Sequence, residues 1–163
     1  MAVFVLWGFF WGDIIPIKVD PGDPVPNIEI VSLANGETVH LPDVFEDGFC
    51  FFLTPNCSHC EAAMPNIQAF RKDHNLMFVY IGEKADIMQF IEQYGGEVGN
   101  AFTADVKHLE PWGLVTYPAA LVFKEGRCKV AMHGRLHMKN LGLLEEFYND
   151  TVKIRKKSRP EPQ

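Results

Sequence analysis

An α/β sandwich, with a central mixed sheet and flanking helices, is the fold class this sequence predicts. Three observations point to it. Two nearly continuous apolar runs, Phe49 to Leu53 and LMFVYIG (76–82), read as strands covered on both faces. A segment with apolar residues at helical spacing follows each of them. Two pairs of strand-like segments are joined by glycine turns, one before these runs and one after.

Taken in order, residues 1–15 begin MAVFVLWGFFWG, apolar for twelve positions before Asp13. Such a run matches the apolar region of a signal peptide or part of a signal anchor. No Lys or Arg precedes it, GDIIPIKVDPGDP does not look like a cleavage site, and a full span needs about 20 apolar residues. Two readings stay open. One is an uncleaved or truncated export anchor, which would put the protein in the periplasm or cell envelope and associate it with a membrane. The other is an apolar arm docked on the domain. Residues 16–26 hold four of the eleven prolines and read as a linker, with a domain from 27 to 151 beyond it.

Within that domain NIEIVSL (27–33) alternates as a strand, Asn35-Gly36 makes a turn, and ETVHL (37–41) returns. After the first buried strand, Ser58 to His74 carries Cys60, Met64, Ile67 and Phe70 at helical spacing, and Pro65 should kink or interrupt it. After the second, Ala85 to Tyr94 is an amphipathic helix stopped by Gly95-Gly96. An irregular stretch leads to TYPAALVF (116–123), a Lys124-Glu125-Gly126 turn, and RCKVAMHG (127–134). A last helix from about Met138 to Thr151 shows Leu141, Leu144, Phe147 and Tyr148 on one face.

Composition narrows the function classes. The chain has 163 residues, 47% of them hydrophobic, which is enough for one sizeable core. Net charge is −6, from 15 basic and 21 acidic residues. Five of the basic residues (Lys153, Arg155, Lys156, Lys157, Arg159) lie in the tail 152–163 beside one acid, so the rest carries 10 against 20. That body repels nucleic acid and has no basic stripe, and the tail reads as a solvated, disordered terminus. Four cysteines do not make a disulfide scaffold at this length. Cys50 and Cys128 stand alone in apolar strands and read as buried, reduced thiols.

Cys57 and Cys60 are different, because FFLTPNCSHC (51–60) places them where a buried strand meets a helix. A redox couple, half a metal site and two neighbouring core thiols all fit two cysteines three apart. No second CxxC exists to complete a zinc site. Residues three apart in a first turn share a face at a separation that suits a disulfide. Cys57 would sit at the helix N-terminus, where free N–H groups and the helix dipole favour a thiolate. A protonated His59 would add to that. Such settings take a thiol from about 8.5 to somewhere between about 3.5 and 7.5. Cys60, one turn further in, should stay protonated longer and resolve a mixed disulfide formed at Cys57. The context favours redox chemistry, with no metal and no cofactor expected.

These residues resemble a thioredoxin-fold thiol–disulfide oxidoreductase, nearest the extracytoplasmic TlpA/ResA-like branch and its MauD-like relatives. DPGDPVPNIEIVSLANGETVHLPD resembles that branch's lead-in and hairpin, and FFLTPNCSHCEAAMPNI its active-site strand and helix. VTYPAALVFKEGRCKVAMHG resembles the cis-proline segment with the final hairpin, and GRLHMKNLGLLEEFY the last helix. The resemblance implies protein thiols or disulfides and an upstream redox partner as reaction partners. It also implies that Pro118 is cis and faces Cys57, and that Thr116 and Tyr117 present backbone to a substrate chain. The chain departs from the family in three places. Asn56 stands where many relatives have tryptophan, Ala63 where ResA-like proteins have glutamate, and Phe51 where cytoplasmic thioredoxins bury aspartate. Glu61 should point to solvent, which leaves the proton of Cys60 without an evident acceptor. His59 tilts the couple towards an oxidant or isomerase, and the ResA-like frame tilts it towards a reductase.

Two rivals share parts of the pattern. A peroxiredoxin-like peroxidase also places threonine three before its reactive cysteine, as Thr54 is to Cys57, and would turn over hydrogen peroxide. A Sco-like copper chaperone uses two cysteines and a distant histidine, here His133 or His137, but with CxxxC spacing. It would retain Cu(I) and lose it with that histidine. Otherwise His133 and His137 read as solvated residues at a strand end and a helix start. Trp112 reads as packing beneath its loop rather than lining a substrate groove.

Overall fold

The computed structural model describes residues 16–151; the segment 1–15 and the tail 152–163, with the export and disorder readings placed on them, lie outside the described residues. Along the chain, β1 (Glu29–Ser32) and β2 (Thr38–His40) form the expected hairpin, and α1 (Leu41–Val44) follows directly. Gly36 turns the chain at φ 74°, and the Asn35 side-chain oxygen accepts the Glu37 N–H at 2.9 Å. Next come β3 (Gly48–Leu53), α2 (Ser58–Phe70), β4 (Leu76–Tyr80) and α3 (Lys84–Tyr94). The chain ends with β5 (Ala101–Thr103), α4 (Val106–Leu109), β6 (Ala119–Lys124), β7 (Arg127–His133) and α5 (Met138–Tyr148). Short 3-10 turns cover Arg71–Asp73 and Glu110–Trp112.

The strands make one mixed sheet in the order β2-β1-β5-β4-β3-β6-β7. β3 pairs parallel with β4 and antiparallel with β6, and β4 pairs parallel with β5. Every residue of β3 and β4 is buried, as continuous apolar strands between two layers require. Alternation divides the core in two. Phe49, Phe51, Leu53, Phe78 and Tyr80 face α2, α3 and α5. Cys50, Phe52, Met77, Val79, Leu121 and Phe123 face the other side, against Leu41, Phe45, Leu109 and Leu114. None of the described helices is long and apolar enough to cross a membrane.

Five expectations are corrected. β5 lies in the stretch read as irregular, and it joins the hairpin to the parallel strands. α2 runs unbroken through Pro65 from Ser58 to Phe70. Pro65 and Glu61 are both exposed, so water can serve the carbonyl that the proline leaves without a donor. β6 begins at Ala119 rather than residue 116. α5 stops at Tyr148 rather than Thr151, with Asp150 at φ 57° closing its end. Residues 16–26, finally, are no free linker but a strap along the sheet. Lys18 N–H donates to the Trp112 carbonyl at 2.8 Å. Gly22 N–H donates to the Cys128 carbonyl and Cys128 N–H to the Asp23 carbonyl, both at 2.8 Å. Val19 of the strap is itself buried in the core, and a β-carbon on Gly113 would meet the Pro16 carbonyl oxygen at 2.1 Å.

Candidate active site

β3 ends at Leu53 and passes the chain through Thr54-Pro55-Asn56 into α2. The Thr54 hydroxyl donates to the Ile81 carbonyl at 2.8 Å, anchoring this turn to the end of the neighbouring strand. It is thus turned to the backbone, away from the role a peroxidatic threonine would have beside Cys57. Asn56 sits in the left-handed region at φ 58°. Asparagine tolerates that conformation better than most side chains, which is a backbone reason for its presence next to the cysteine.

Cys57 is the N-cap of α2. Its backbone is extended (φ −119°, ψ 112°), and its sulfur accepts the Cys60 N–H at 3.3 Å. A sulfur thus does the work that serine or aspartate oxygen usually does at a helix start. The helix turns a backbone donor and the positive end of its dipole towards this sulfur. Cys57 is half-buried, while Cys60 is fully buried on the inner face with Ala63, Met64 and Ile67. Burial pushes the Cys60 thiol up to about 12, its hydrogen bond with Cys57 adds to the rise, and a backbone hydrogen bond at Thr54 opposes it. Chemically, one sulfur is accessible at the helix start, and a protonated one waits behind it.

The loop before β6 closes the site from the other side. The Tyr117 carbonyl lies 3.9 Å from the Cys57 sulfur, within range of a thiol donor. The Tyr117–Pro118 peptide bond is cis, and Pro118 is buried, its own carbonyl accepting the Gly134 N–H at 2.9 Å. The Tyr117 hydroxyl donates to the Leu114 carbonyl at 2.8 Å, and burial, then the negative charge of Cys60 and Glu110, pushes this phenol up to about 12. Thr116 and Tyr117 are half-exposed.

Other flagged residues separate clearly. His59 and Glu61 are exposed on the first turn of α2. Among the described residues no charged side chain is buried, so Cys60 has no carboxylate beneath it. Phe51 fills the space where an acid would be, fully buried and stacked 6.0 Å from Phe78. Trp112 packs on the far core, away from the cysteine pair. His133 and His137 line different grooves, His133 against the strap and His137 against α2. Among the described residues no three His, Cys, Asp or Glu side chains gather as a metal-binding group.

No family model and no curated protein matches the sequence. Solved structures do. A putative thiol:disulfide interchange protein DsbE from Chlorobium tepidum superposes with a TM-score of 0.62 at 19% identity, over 82% of this chain and 98% of that one. The thioredoxin domain of a Bacteroides vulgatus thiol-disulfide oxidoreductase gives 0.62 at 21% identity, over 80% and 99%. A secreted Mycobacterium tuberculosis disulfide oxidoreductase homologous to E. coli DsbE gives 0.57 at 15% identity, over 76% and 96%. The fold is thioredoxin-like. In this thioredoxin-like sheet Cys50 and Cys128 stand on β3 and β7 with β6 between them, and all four cysteines are free thiols. Burial raises both strand thiols, Cys128 to about 11 with help from the Asp23 charge.

Proposed function

We propose that this protein exchanges thiols and disulfides with protein substrates through Cys57 and Cys60. One observation carries the proposal: a half-exposed sulfur caps a helix and accepts the N–H of a buried cysteine one turn on, at 3.3 Å. The similarity of the fold to thiol–disulfide oxidoreductases supports it.

In the reducing direction the Cys57 thiolate attacks a substrate disulfide. A Cys57–substrate disulfide forms and the second substrate sulfur leaves as a thiolate. Cys60 then attacks the Cys57 sulfur, giving the Cys57–Cys60 disulfide and releasing the first substrate sulfur. The substrate thiolate released in the first step takes the Cys60 proton before this attack, so two electrons move from the protein to the substrate. The oxidising direction is the same path reversed. The Tyr117 carbonyl, beside the Cys57 sulfur, is placed to accept an N–H from an extended substrate chain, with Pro118 fixing the end of β6 and Thr116 flanking the approach. His59, next to the N-cap, tunes the thiolate. An extracytoplasmic setting suits this chemistry, because disulfides persist there. The apolar residues 1–15 are the feature that would place the protein there, on a membrane.

The deciding experiment is a Cys60→Ala variant recovered from its native host. It should carry partner proteins in disulfide linkage to Cys57, released by reductant and lost when Cys57 is also replaced. Recovery without any linked partner, together with no reduction of a test disulfide by the unmodified protein, would overturn the proposal.

A further inference from the structure

Beside the cysteine pair lies a groove that the exchange chemistry touches only through His59. It measures about 320 Å3 and runs from the first turns of α2 to the loop between β7 and α5. Ser58, His59, Asn66, Arg135 and His137 line it. The two walls are tied together, since the Asn66 amide donates to the Leu136 carbonyl at 3.3 Å. The Asn140 amide donates to the Arg135 carbonyl at 2.6 Å, holding that backbone while the Arg135 side chain stays exposed. Arg135 is charged at any working pH and offers five donors in a fork that fits a carboxylate. His59 and His137 add ring N–H donors. No acidic side chain is among the described residues of this lining.

Backbone electrostatics point the same way. Ser58 and His59 open α2, and His137 is the N-cap of α5 without a side-chain capping bond. Two helix N-termini, with their free N–H groups and positive dipole ends, therefore converge on one groove. The other flank of Cys57 is the reverse: between α2 and α3 a small groove of about 90 Å3 carries Glu61 and Asp86. The chain outside the tail is acidic on balance, with 10 basic against 20 acidic residues. This groove, whose described lining carries Arg135 and no acid, thus adjoins the first turn after the reactive sulfur.

We infer that this groove takes carboxylate side chains of the protein substrate, and that disulfides flanked by Asp or Glu are the favoured ones. The inference rests on the redox reading. An extended substrate chain joined to Cys57 would lay the residues next to its cysteine along α2, where a carboxylate pairs with Arg135 and displaces only exposed water. A basic residue there would meet like charge and two helix dipoles of the wrong sign. Selectivity of this kind acts mainly through association rate and fades with salt.

The test uses three disulfide peptides of one sequence, with Glu, Gln or Lys beside the cysteine, reacted with the reduced protein. At low ionic strength the Glu peptide should react about tenfold faster than the Lys peptide, and high salt should shrink the difference. Arg135→Glu should reverse the order. Lys72→Glu makes the same change in net charge beyond the far end of α2, roughly 20 Å away along the helix, and should leave the ratio as it is. Equal rates for the Glu and Lys peptides in the unmodified protein, or a ratio untouched by Arg135→Glu, would overturn the groove assignment. A Gln peptide that fails to react at all would instead overturn the redox reading, and the groove assignment with it.

Discussion

At Cys57 a residue type, a position and a backbone conformation reinforce each other. A sulfur at an N-cap is both the exposed atom and the acceptor of the Cys60 N–H, so reactivity and helix capping share one group. Cys60 is held neutral by burial, and Cys50 is buried more deeply in β3. Alkylation of the reduced protein at mildly acidic pH should therefore modify Cys57 first, read by peptide mass; earlier modification of Cys60 would reverse the two roles. His59 allows a second test. If its ring supports the Cys57 thiolate, His59→Ala should move the disulfide potential to more negative values by some tens of millivolts, about 30 mV being 1.4 kcal/mol for two electrons. A redox titration that finds no shift would leave His59 as a surface residue. The placing of the cysteine pair between a strand and a helix was legible in the sequence, because apolar run and helical period meet there, whereas the cis bond at Pro118 came only from the family resemblance. Arg135 was not legible. Its role depends on the GRLH loop folding back beside α2, a long-range event with no local periodicity. The conformation of Asn56 was hidden too, since residue type announces only a tolerance for the left-handed region.

Elements were recovered in proportion to the length of their pattern. β3, β4, α2 and α3 have five or more residues of consistent apolar period, and both hairpins have glycine turns. β5 has three residues, too few for any period to show, yet it joins the hairpin to the parallel strands. The strap misled for a physical reason: four prolines suppress regular hydrogen bonding, but Lys18, Gly22 and Asp23 still bond the body through backbone atoms that the prolines leave free. Phe51 is the sharpest test at this scale. It lies at the centre of β3, fully buried beneath α2, in place of an acid. Phe51→Ala should cost about 3–5 kcal/mol of stability, measured by urea unfolding, through lost burial and the cavity left behind. A loss below about 1 kcal/mol would mean that α2 settles into the gap more easily than its packing suggests.

For the whole molecule, the buried thiols and phenols impose a dependence on alkaline pH. Cys60 and Cys128 stand at about 12 and about 11 in the folded protein against an ordinary 9.0, and Cys50 and Tyr80 are raised as well. The native state therefore holds these protons after the unfolded chain has released them. Their contribution is complete below about pH 9 and is lost as pH rises towards 11 to 12. Unfolding free energy of the reduced protein should fall across that window, by at most about 1.4 kcal/mol per pH unit for each such group. Cys50→Ala should flatten the slope. Stability that stays level from pH 8 to 10.5 would contradict the burial of these groups.

The strap also makes one of these thiols a clock. Cys128 is closed off by a segment that bonds both its N–H and its carbonyl, and that segment lies against a glycine with no room for a β-carbon. Lifting the strap would uncover the Cys128 sulfur while the sheet stayed intact, whereas Cys50 can be reached only by opening the sheet itself. The rate at which a thiol reagent consumes Cys128 under native conditions then counts strap openings, in the manner of hydrogen exchange at a single amide. Gly113→Ala, forced against the Pro16 carbonyl, should quicken that count several-fold and leave Cys50 at its former pace. Were the two thiols to speed up together, the strap and the sheet would be opening as one unit.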